Sequence, residues 1–519
     1  MFKYKIWRRW MVLFCGVILV VGFALSPGPV FGKDIKVLRI GIGIDPDTLN
    51  PFEGTTAICF NISELISDTL GKFTPDGKLE PNLATEWSVS EDGKTYTYKL
   101  RKGVRFTDGA PLTSETFRRM VELIQDPKVR MPFRFLFSSI EKVTVIDDYT
   151  FQFNLKAPFA PFAQLMAVYP PSSQKATTPY DANKLRKNPV GAGPYKLAEW
   201  VRGERVVLVR NENYWGLKPT VEKIIYRIIP ETATRVAMLR AGQLDVAYSP
   251  SPPDIQALEA DPKIKVVRPA SSRAIFVAMN CQKGFTKDKR VRQALNYAVN
   301  KEAIVKKVLF GTAQPLKGPM PPSMFGYTQM ENQYTYNPAK AKALLKEANF
   351  PKDGVIKMIT PTGRYTYDKQ VAEAVQAFLQ DIGVKVELRT YDWPTYVAMT
   401  RKPLEKSELE LNLIGWGSPY FDADFFLLMR FSSFVHPPRG LNETFYHNPE
   451  FDKAVGMARQ IIDPAKRMAL YTKASKIIWD EAPVIWLYVE PYSIAYRSNL
   501  KGFKILPIER FYPTYATMD

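Results

Sequence analysis

The residue types that carry most enzyme chemistry are scarce in this sequence of 519 residues. It has two histidines, His436 and His447, so a histidine-based catalytic triad or a histidine-rich metal site is hard to build. It contains no Gly-x-Ser-x-Gly, no His-Glu-x-x-His and no phosphate-binding glycine loop. Gly41 and Gly43 follow a strand-like run, but Pro46 and the missing third glycine exclude a dinucleotide-binding fingerprint. We therefore expect no catalytic residues, no metal site and no cofactor.

Carboxylate pairs are the remaining candidates for acid–base chemistry. Asp422 and Asp424 lie two residues apart, which in an extended segment places both side chains on the same side. Such a pair could serve a glycosidase. An aspartate ahead of an apolar helical run, here residues 425–429, is also typical of a helix cap. We favour a binding or structural role for both aspartates over a catalytic one.

Aromatic side chains beside turns and glycines indicate a different kind of site, an enclosed pocket for a small molecule. Aromatic rings exclude water, and a few charges can fix the ends of a polar ligand. Any single ring could also belong to the core, but residues 416–426 have a loop-like composition, and Trp416 lies between two glycines that let the backbone approach a ligand. The aromatic candidates for ligand contact are Tyr365, Trp393, Trp416 and Tyr420.

The elements that would position these residues alternate between strand and helix patterns. Residues 95–101 alternate strictly between apolar and polar, and residues 143–155 predict a hairpin. Later in the chain, Asn337 predicts a helix cap, and an apolar stripe over 371–382 predicts a helix that feeds a strand at 384–391. Helices that lead into strands through short loops favour a mixed α/β architecture with ligand crevices between domains.

The N-terminal residues 1–32 have the pattern of a secretory signal peptide. Four basic residues precede an apolar run over 10–25, which is short for a membrane span, and cleavage is expected before Lys33. An uncleaved anchor is the alternative. A lipid anchor on Cys15 is disfavoured because Phe14, not a small residue, precedes it. We therefore expect an extracytoplasmic, periplasmic protein.

Charge and cysteine content exclude further classes. The formal net charge is +19, but the sequence contains no basic run of five or six residues and no nucleic-acid-binding motif. We therefore expect no nucleic-acid partner. Cys59 and Cys281, the cysteines that remain after cleavage, are too few for a disulfide framework. Whether the two form a single bridge stays open at this point. We expect a monomer.

Residues 84–111, ATEWSVSEDGKTYTYKLRKGVRFTDGAP, resemble a signature of family 5 extracellular solute-binding proteins, the peptide- and nickel-binding group of ABC importers. The pattern of turns agrees with it: Asp92-Gly93 leads into the strand around Tyr96, and Lys102-Gly103 and Asp108-Gly109 bound a predicted short strand at 104–106. Further matching motifs are PVGAGPY at 189–195, RNENYW at 210–215, AGQLD at 241–245, DKRVRQAL at 288–295, GWG at 415–417 and DEAP at 480–483.

The resemblance implies a periplasmic binding protein-like fold of the class II, cluster C type. Such a fold has two α/β lobes joined by a hinge and an extra β-rich domain. The ligand lies between the two lobes, and hinge closure buries it. The implied boundaries are 33–71, 196–280 and 493–519 for domain I, 72–195 for domain II, and 281–492 for domain III.

The function implied by the resemblance is solute binding for an ABC importer, not catalysis. The protein would capture a peptide or peptide-like solute and deliver it to the membrane permease. Nickel chelates, opines and sugars stay open as ligands because the fold hosts several ligand classes. Use of the fold as a sensor or chaperone is a further alternative.

The resemblance also implies groups for the two ends of a peptide. In related dipeptide binders an arginine clamps the ligand carboxylate, and Arg364 is the candidate here, with a solvated surface arginine as the alternative. Related peptide binders pair the ligand α-ammonium with an aspartate three residues after the late tryptophan, where this chain has Pro419. Either Asp422 takes that role, or the ligand lacks a free α-amino group.

Overall fold

The computed structural model describes residues 36–518, and the predicted signal peptide at 1–32, with its cleavage before Lys33, lies outside them. No helix in the described part is long and apolar enough to cross a membrane. Cys59 and Cys281 are both buried and free, so they do not form a bridge. Burial raises the pKa of both thiols, that of Cys281 to about 11.

Strands occur along the whole described chain. They are Val37–Ile42 (β1), Gly71–Phe73 (β2), Leu79–Pro81 (β3), Ala84–Val89 (β4), Thr95–Leu100 (β5), Ile140–Asp147 (β6), Thr150–Leu155 (β7), Tyr195–Val201 (β8), Arg205–Arg210 (β9), Lys223–Ile228 (β10), Val246–Tyr248 (β11), Ile264–Val267 (β12), Arg273–Met279 (β13), Gln314–Pro315 (β14), Val355–Pro361 (β15), Lys385–Tyr391 (β16), Leu411–Gly417 (β17), Val484–Val489 (β18), Ile494–Arg497 (β19), Leu500–Lys501 (β20), Lys504–Leu506 (β21), Arg510–Tyr512 (β22) and Thr517–Met518 (β23).

Helices become more frequent after the middle of the chain. They are Ala57–Ile66 (α1), Ser114–Gln125 (α2), Phe162–Met166 (α3), Ala182–Lys187 (α4), Thr232–Arg240 (α5), Pro252–Glu259 (α6), Lys289–Ala298 (α7), Lys301–Ala303 (α8), Pro338–Glu347 (α9), Asp368–Asp381 (α10), Trp393–Thr400 (α11), Ala423–Phe431 (α12), Pro449–Gln460 (α13) and Pro464–Glu481 (α14).

Seven strands form the first sheet, in the order β12-β19-β11-β1-β10-β9-β8. The central strand β1 runs parallel to both neighbours, β10 and β11. Its side chains Leu38 and Ile40 are fully buried and pack in a core that also contains Tyr226 and Ile494. Strand β19, from near the end of the chain, therefore completes a sheet that β1 begins.

Six strands form the second sheet, in the order β14-β18-β13-β17-β15-β16. All six residues of β18 and all but the first of β13 are buried, which explains their continuous apolar sequences. Helix α10 connects the parallel strands β15 and β16, and its predicted stripe buries Val371, Val375 and Leu379. Helix α9 begins after Asn337, whose side chain accepts the backbone N–H of Lys340, as the sequence predicted.

A third, antiparallel sheet has the order β4-β5-β7-β6. It contains the predicted 95–101 strand and the predicted hairpin, now β6 and β7. Helix α2 packs on it through Phe117, whose ring stacks on Phe151 at 4.6 Å. The prediction of a short strand at 104–106 is wrong. The turns around these residues leave only a single β-bridge, between Arg105 and Pro111.

The three sheets draw on the three segments that we assigned to domains I, II and III, with differences at two boundaries. Strand β13 fell in predicted domain I, yet it lies in the second sheet between β17 and β18. Tyr195, assigned to domain II, begins β8 of the first sheet. An apolar run shows that a strand is buried but not which sheet buries it. The boundaries themselves stay a prediction.

The 189–195 motif lets two segments of backbone come close together. The N–H of Gly193 donates to the carbonyl of Ile66, the last residue of α1, at 2.9 Å. A Cβ added at Gly191 would overlap that same carbonyl oxygen, which belongs to the backbone and cannot rotate away. Glycine is required here because of this close approach, which brings the chain back from the third sheet to the first.

We expect Gly191→Ala to lower the free energy of unfolding by about 2–3 kcal/mol because the new methyl group forces α1 and the motif apart. Gly456→Ala is the matched control, since no atom lies within 4 Å of its added Cβ inside α13. This control should raise stability by up to ~1 kcal/mol through helix propensity. Urea unfolding followed by circular dichroism measures both, and equal midpoints for the two variants would contradict the close-approach argument.

Candidate ligand-binding site

The loop after β15 carries the predicted clamp residue Arg364 and is fixed by one carboxylate. Asp368, the first residue of α10, accepts hydrogen bonds from the backbone N–H groups of Gly363 at 3.1 Å, Arg364 at 2.8 Å and Tyr365 at 3.1 Å. Three amide donors converging on a buried anion hold the loop in one conformation. The backbone of the loop is therefore set independently of its side chains.

The Arg364 side chain is half-buried and rests on aromatic rings. Its guanidinium carbon lies 5.0 Å from the centroid of the Tyr365 ring and 5.1 Å from that of Trp393, which are cation–π distances. Within residues 36–518 no hydrogen bond of this guanidinium to protein is found, so its donors are free to meet an anion.

Tyr365 and Trp393 form the aromatic support. Tyr365 is buried, and its hydroxyl donates to the carbonyl of Gly415 at 3.3 Å. Trp393 begins α11, is half-buried, meets Tyr365 edge to face at 6.2 Å and stacks on Tyr396 at 5.5 Å. The contact with Gly415 joins this cluster to strand β17, which carries Trp416.

Trp416 is half-buried near the end of β17. Its ring stacks on Phe425 at 5.1 Å, and the guanidinium of Arg430 lies 4.4 Å from the ring centroid. Arg430 is itself ion-paired with Glu443, and both side chains are buried. The buried indole N–H of Trp416 has no partner in the described part of the protein. The ring is thus held in place while one polar atom remains free to bond.

Position 415, directly before Trp416, holds a glycine for a different reason from the one expected. A Cβ on Gly415 would lie 2.6 Å from the Tyr365 ring and 3.0 Å from the Arg273 side chain. The missing side chain thus makes room for these two protein groups. Close approach of a ligand to the backbone does not follow from it.

Asp422 lies in a separate, fully buried cluster. It is the N-cap of α12, and its carboxylate accepts the backbone N–H of Asp424 at 2.9 Å, as in the helix-capping alternative. The same carboxylate accepts the Tyr471 hydroxyl at 2.9 Å and forms an ion pair with Arg467. Burial raises the pKa of Asp422 to about 6, against the opposing effect of Arg467. Ligand contact by Asp422 stays a prediction, and it requires these protein bonds to open.

Tyr420 also belongs to this buried cluster. It is fully buried, its hydroxyl donates to the Asp424 carboxylate at 3.2 Å, and its ring meets Phe425 edge to face at 5.9 Å. The stretch 416–426 is therefore less loop-like than its composition suggests, since it comprises the end of β17, residues 418–422 and the start of α12. Phe425 links the two groups, because it contacts both Trp416 and Tyr420.

A charged group that the sequence did not single out lies beside the arginine loop. Arg273 bonds Glu490 at 2.8 Å and Glu509 at 2.7 Å, and all three side chains are largely buried. Burial, together with Glu509, raises the pKa of Glu490, and Arg273 opposes that shift. The sequence did contain a signal for this group, namely a charged residue at the end of an otherwise apolar strand. Arg273 begins β13, and Glu490 follows β18. No metal-holding group of three or more His, Cys, Asp or Glu side chains occurs within 36–518.

We expect Asp422→Asn to lower the free energy of unfolding by about 3 kcal/mol, because it leaves the buried Arg467 without its counter-charge. Asp463→Asn is the control: it changes an exposed N-cap, of α14, and asparagine caps helices as well as aspartate. That control should shift stability by less than about 0.5 kcal/mol. Urea unfolding tests both, and a neutral Asp422→Asn would contradict a structural role for this ion pair.

Comparison with known proteins gives consistent results. The family described as "Bacterial extracellular solute-binding proteins, family 5 Middle" matches residues 78–436. The Glutathione-binding protein GsiB of Pectobacterium atrosepticum is 32% identical over 507 residues, which cover 96% of each chain. GsiB of Salmonella typhimurium is 33% identical over 496 residues, covering 94% of this chain and 95% of that one.

Solved structures agree with this assignment. The periplasmic binding protein DppA of Helicobacter pylori, in complex with the peptide STSA, is 29% identical, with a TM-score of 0.81 over 93% of this chain and 98% of that one. A dipeptide-binding protein of Pseudoalteromonas sp. SM9913, 24% identical, has the same fold, with a TM-score of 0.84 over 93% and 100% of the two chains. These neighbours confirm the predicted periplasmic binding protein-like α/β fold. With the family match, the two relatives and the motifs at 84–111 all in agreement, the chain belongs to the family 5 extracellular solute-binding proteins.

Proposed function

We propose that this protein binds a short, peptide-like solute with a free carboxylate, of the glutathione class, and delivers it to an ABC importer. The observation that carries the proposal is the Arg364 guanidinium, held between two aromatic rings on a fixed loop with its donors unused. A guanidinium in such a position binds a carboxylate through two parallel hydrogen bonds. Hydrolysis of the solute is not part of the proposal.

The ligand class rests on the relatives and on the chemistry of the loop after Trp416. Two relatives above 30% identity are named as glutathione-binding, and DppA of H. pylori was solved with a peptide. Glutathione has two carboxylates and one ammonium group, and its γ-linkage moves that ammonium away from the usual peptide N-terminus. A proline at 419 and a buried, already paired Asp422 suit such a ligand better than an ordinary dipeptide.

In this proposal Arg364, Tyr365, Trp393 and Trp416 line the site. The half-buried rings of Trp393 and Trp416 provide apolar walls. Tyr420 and Asp422 lie behind Phe425 and hold α12 in position. The site thus has one cationic end and aromatic sides, which matches a small anion with a peptide backbone.

The site of action follows from the family and from the N-terminal sequence. Family 5 proteins are extracellular solute-binding proteins, and DppA of H. pylori is described as periplasmic and ABC transporter-associated. The predicted signal peptide at 1–32 supports export. We propose a periplasmic monomer whose partners are the solute and the membrane permease.

Isothermal titration calorimetry with glutathione and a panel of dipeptides tests the proposal. We expect glutathione to bind more tightly than simple dipeptides. Arg364→Lys should weaken glutathione binding by about tenfold or more, because an ammonium group cannot reproduce the paired hydrogen bonds of a guanidinium. The control Arg205→Lys changes a half-buried arginine of the first sheet that is paired with Glu199, and it should bind as the wild type does.

Two results would contradict this assignment. Equal glutathione affinity of Arg364→Lys and the wild type would exclude the clamp. Tight dipeptide binding that depends on the free amino terminus would show that another residue supplies the negative charge. Mass spectrometry of the solute that copurifies with the exported protein would then identify the ligand directly.

A further inference from the structure

The first and second sheets are joined by two short chain crossings. Strand β12 of the first sheet leads through residues 268–272 into β13 of the second, and β18 of the second leads through residues 490–493 back to β19 of the first. The crossings are held together, because the backbone N–H of Glu490 donates to the carbonyl of Arg273 at 2.9 Å. Any rotation of one sheet against the other must therefore pass through this junction.

Arg273 joins both crossings to a third segment. Its guanidinium donates to Glu490 at 2.8 Å and to Glu509 at 2.9 Å, so one cation is shared by two carboxylates from distant parts of the chain. Glu490 follows a strand of the second sheet, whereas Glu509 lies in the turn of the β21–β22 hairpin. The aliphatic part of the Arg273 side chain passes over Gly415, which leaves it the space to reach both partners.

The hairpin that presents Glu509 is anchored to α1, whose buried side chains pack in the core of the first sheet. The side chain of Asn61 in α1 donates to the carbonyl of Glu509 at 2.9 Å and accepts the N–H of Phe511 at 3.2 Å. Glu509 has a φ of 59°, a left-handed conformation that residues with a side chain adopt at a cost of order 1–3 kcal/mol. Its neighbours therefore hold Glu509 against its own backbone preference, with its carboxylate directed at Arg273.

Glu490 makes one more contact, which reaches the proposed site. Its second carboxylate oxygen accepts the backbone N–H of Thr366 at 3.2 Å, in the loop that carries Arg364. Asp368 fixes the first part of that loop from the start of α10, and Glu490 fixes its end from the junction. The same carboxylate thus contacts both the arginine loop and the cation that bridges the two sheets.

We propose that Arg273, Glu490 and Glu509 form an interlobe clamp, and that Glu490 is a positioning residue which couples the junction to the Arg364 loop. The Arg273–Glu509 bond holds the two sheets in the described arrangement, and the Glu490–Thr366 bond transmits that arrangement to the loop. Loss of either carboxylate leaves a largely buried arginine charge only partly compensated, which favours opening of the junction. The link to ligand binding rests on the proposed function, whereas the clamp itself does not.

Distance measurement between spin labels tests the clamp without any ligand. Labels on Lys265→Cys in β12 and Lys385→Cys in β16 place one exposed probe on each sheet, and the native Cys59 and Cys281 are buried. By double electron–electron resonance, Glu509→Gln should add a population at longer distance that the wild type lacks. Glu199→Gln, which breaks an exposed ion pair within the first sheet, should leave the distances unchanged.

A distance distribution of Glu509→Gln identical to that of the wild type would overturn the clamp. Circular dichroism establishes that the variant is folded. If it is not, Glu509→Asp replaces it, because this change keeps the charge but shortens the reach to Arg273. The same longer-distance population, at a smaller fraction, is then expected, and its absence counts against the clamp.

Stopped-flow tryptophan fluorescence with glutathione tests the coupling to the loop. We expect Glu490→Gln to increase the dissociation rate about tenfold with little change in the association rate, since the loop loses its support after the ligand has bound. In a double-mutant cycle with Arg273→Met, the effect of the double variant on the dissociation rate should be smaller than the sum of the effects of the two single variants.

A purely structural role of Glu490 would lower the unfolding midpoint and leave the dissociation rate unchanged, which would overturn the coupling. If the wild type does not bind glutathione, the proposed function is contradicted. The distances between the spin labels then test the clamp without reference to a ligand.

Discussion

The first large sheet of this protein is not complete until the chain has crossed to the second sheet and returned. The first sheet begins with β1 and is closed by β19, near the other end of the chain, while the second depends on β13, which follows directly after β12. Pairings over such sequence separations require the closure of long loops. The lobes are therefore not independent units that happen to be tethered. The first sheet owes β19 to the return of the chain from the second, and the charged groups that join the two sheets lie at the two crossings.

Buried charges in this molecule mark places where separate elements must meet in one geometry. Arg430 with Glu443 lies behind Trp416, Arg467 with Asp422 joins α14 to the start of α12, and Arg510 with Glu64 joins the C-terminal hairpin to α1. Apolar residues of similar volume would often stabilise such contacts as well or better, but they would accept several arrangements. We infer that these pairs fix the relative position of helices and strands around the site. These ion pairs determine how the helices and strands align with one another, whereas the apolar cores contribute most of the stability.

The sequence predicted those parts of the structure that local patterns determine. The alternation at 95–101, the cap at Asn337 and the stripe ahead of Gly383 each became the expected element, and the ordered motifs identified the family. Tyr365 and Trp393, both singled out as rings beside turns, lie together in the structure, and their contact with a ligand stays a prediction. Arg273 and its two glutamates were missed because the partners lie 217 and 236 residues along the chain, and no local pattern connects them. The sequence also did not show why position 415 is a glycine, because the side chains that fill the space beside it come from distant parts of the chain.

The arginine loop is held through its backbone N–H groups, since the carboxylate of Asp368 bonds those of residues 363, 364 and 365 and the carboxylate of Glu490 bonds that of residue 366. None of these bonds depends on which side chain is present at position 364. This residue can therefore be exchanged during evolution, or in the construction of a biosensor, without a new loop having to be invented around it. On the proposed function, a single substitution at position 364 changes the chemistry that the loop offers to a solute while its scaffold is kept.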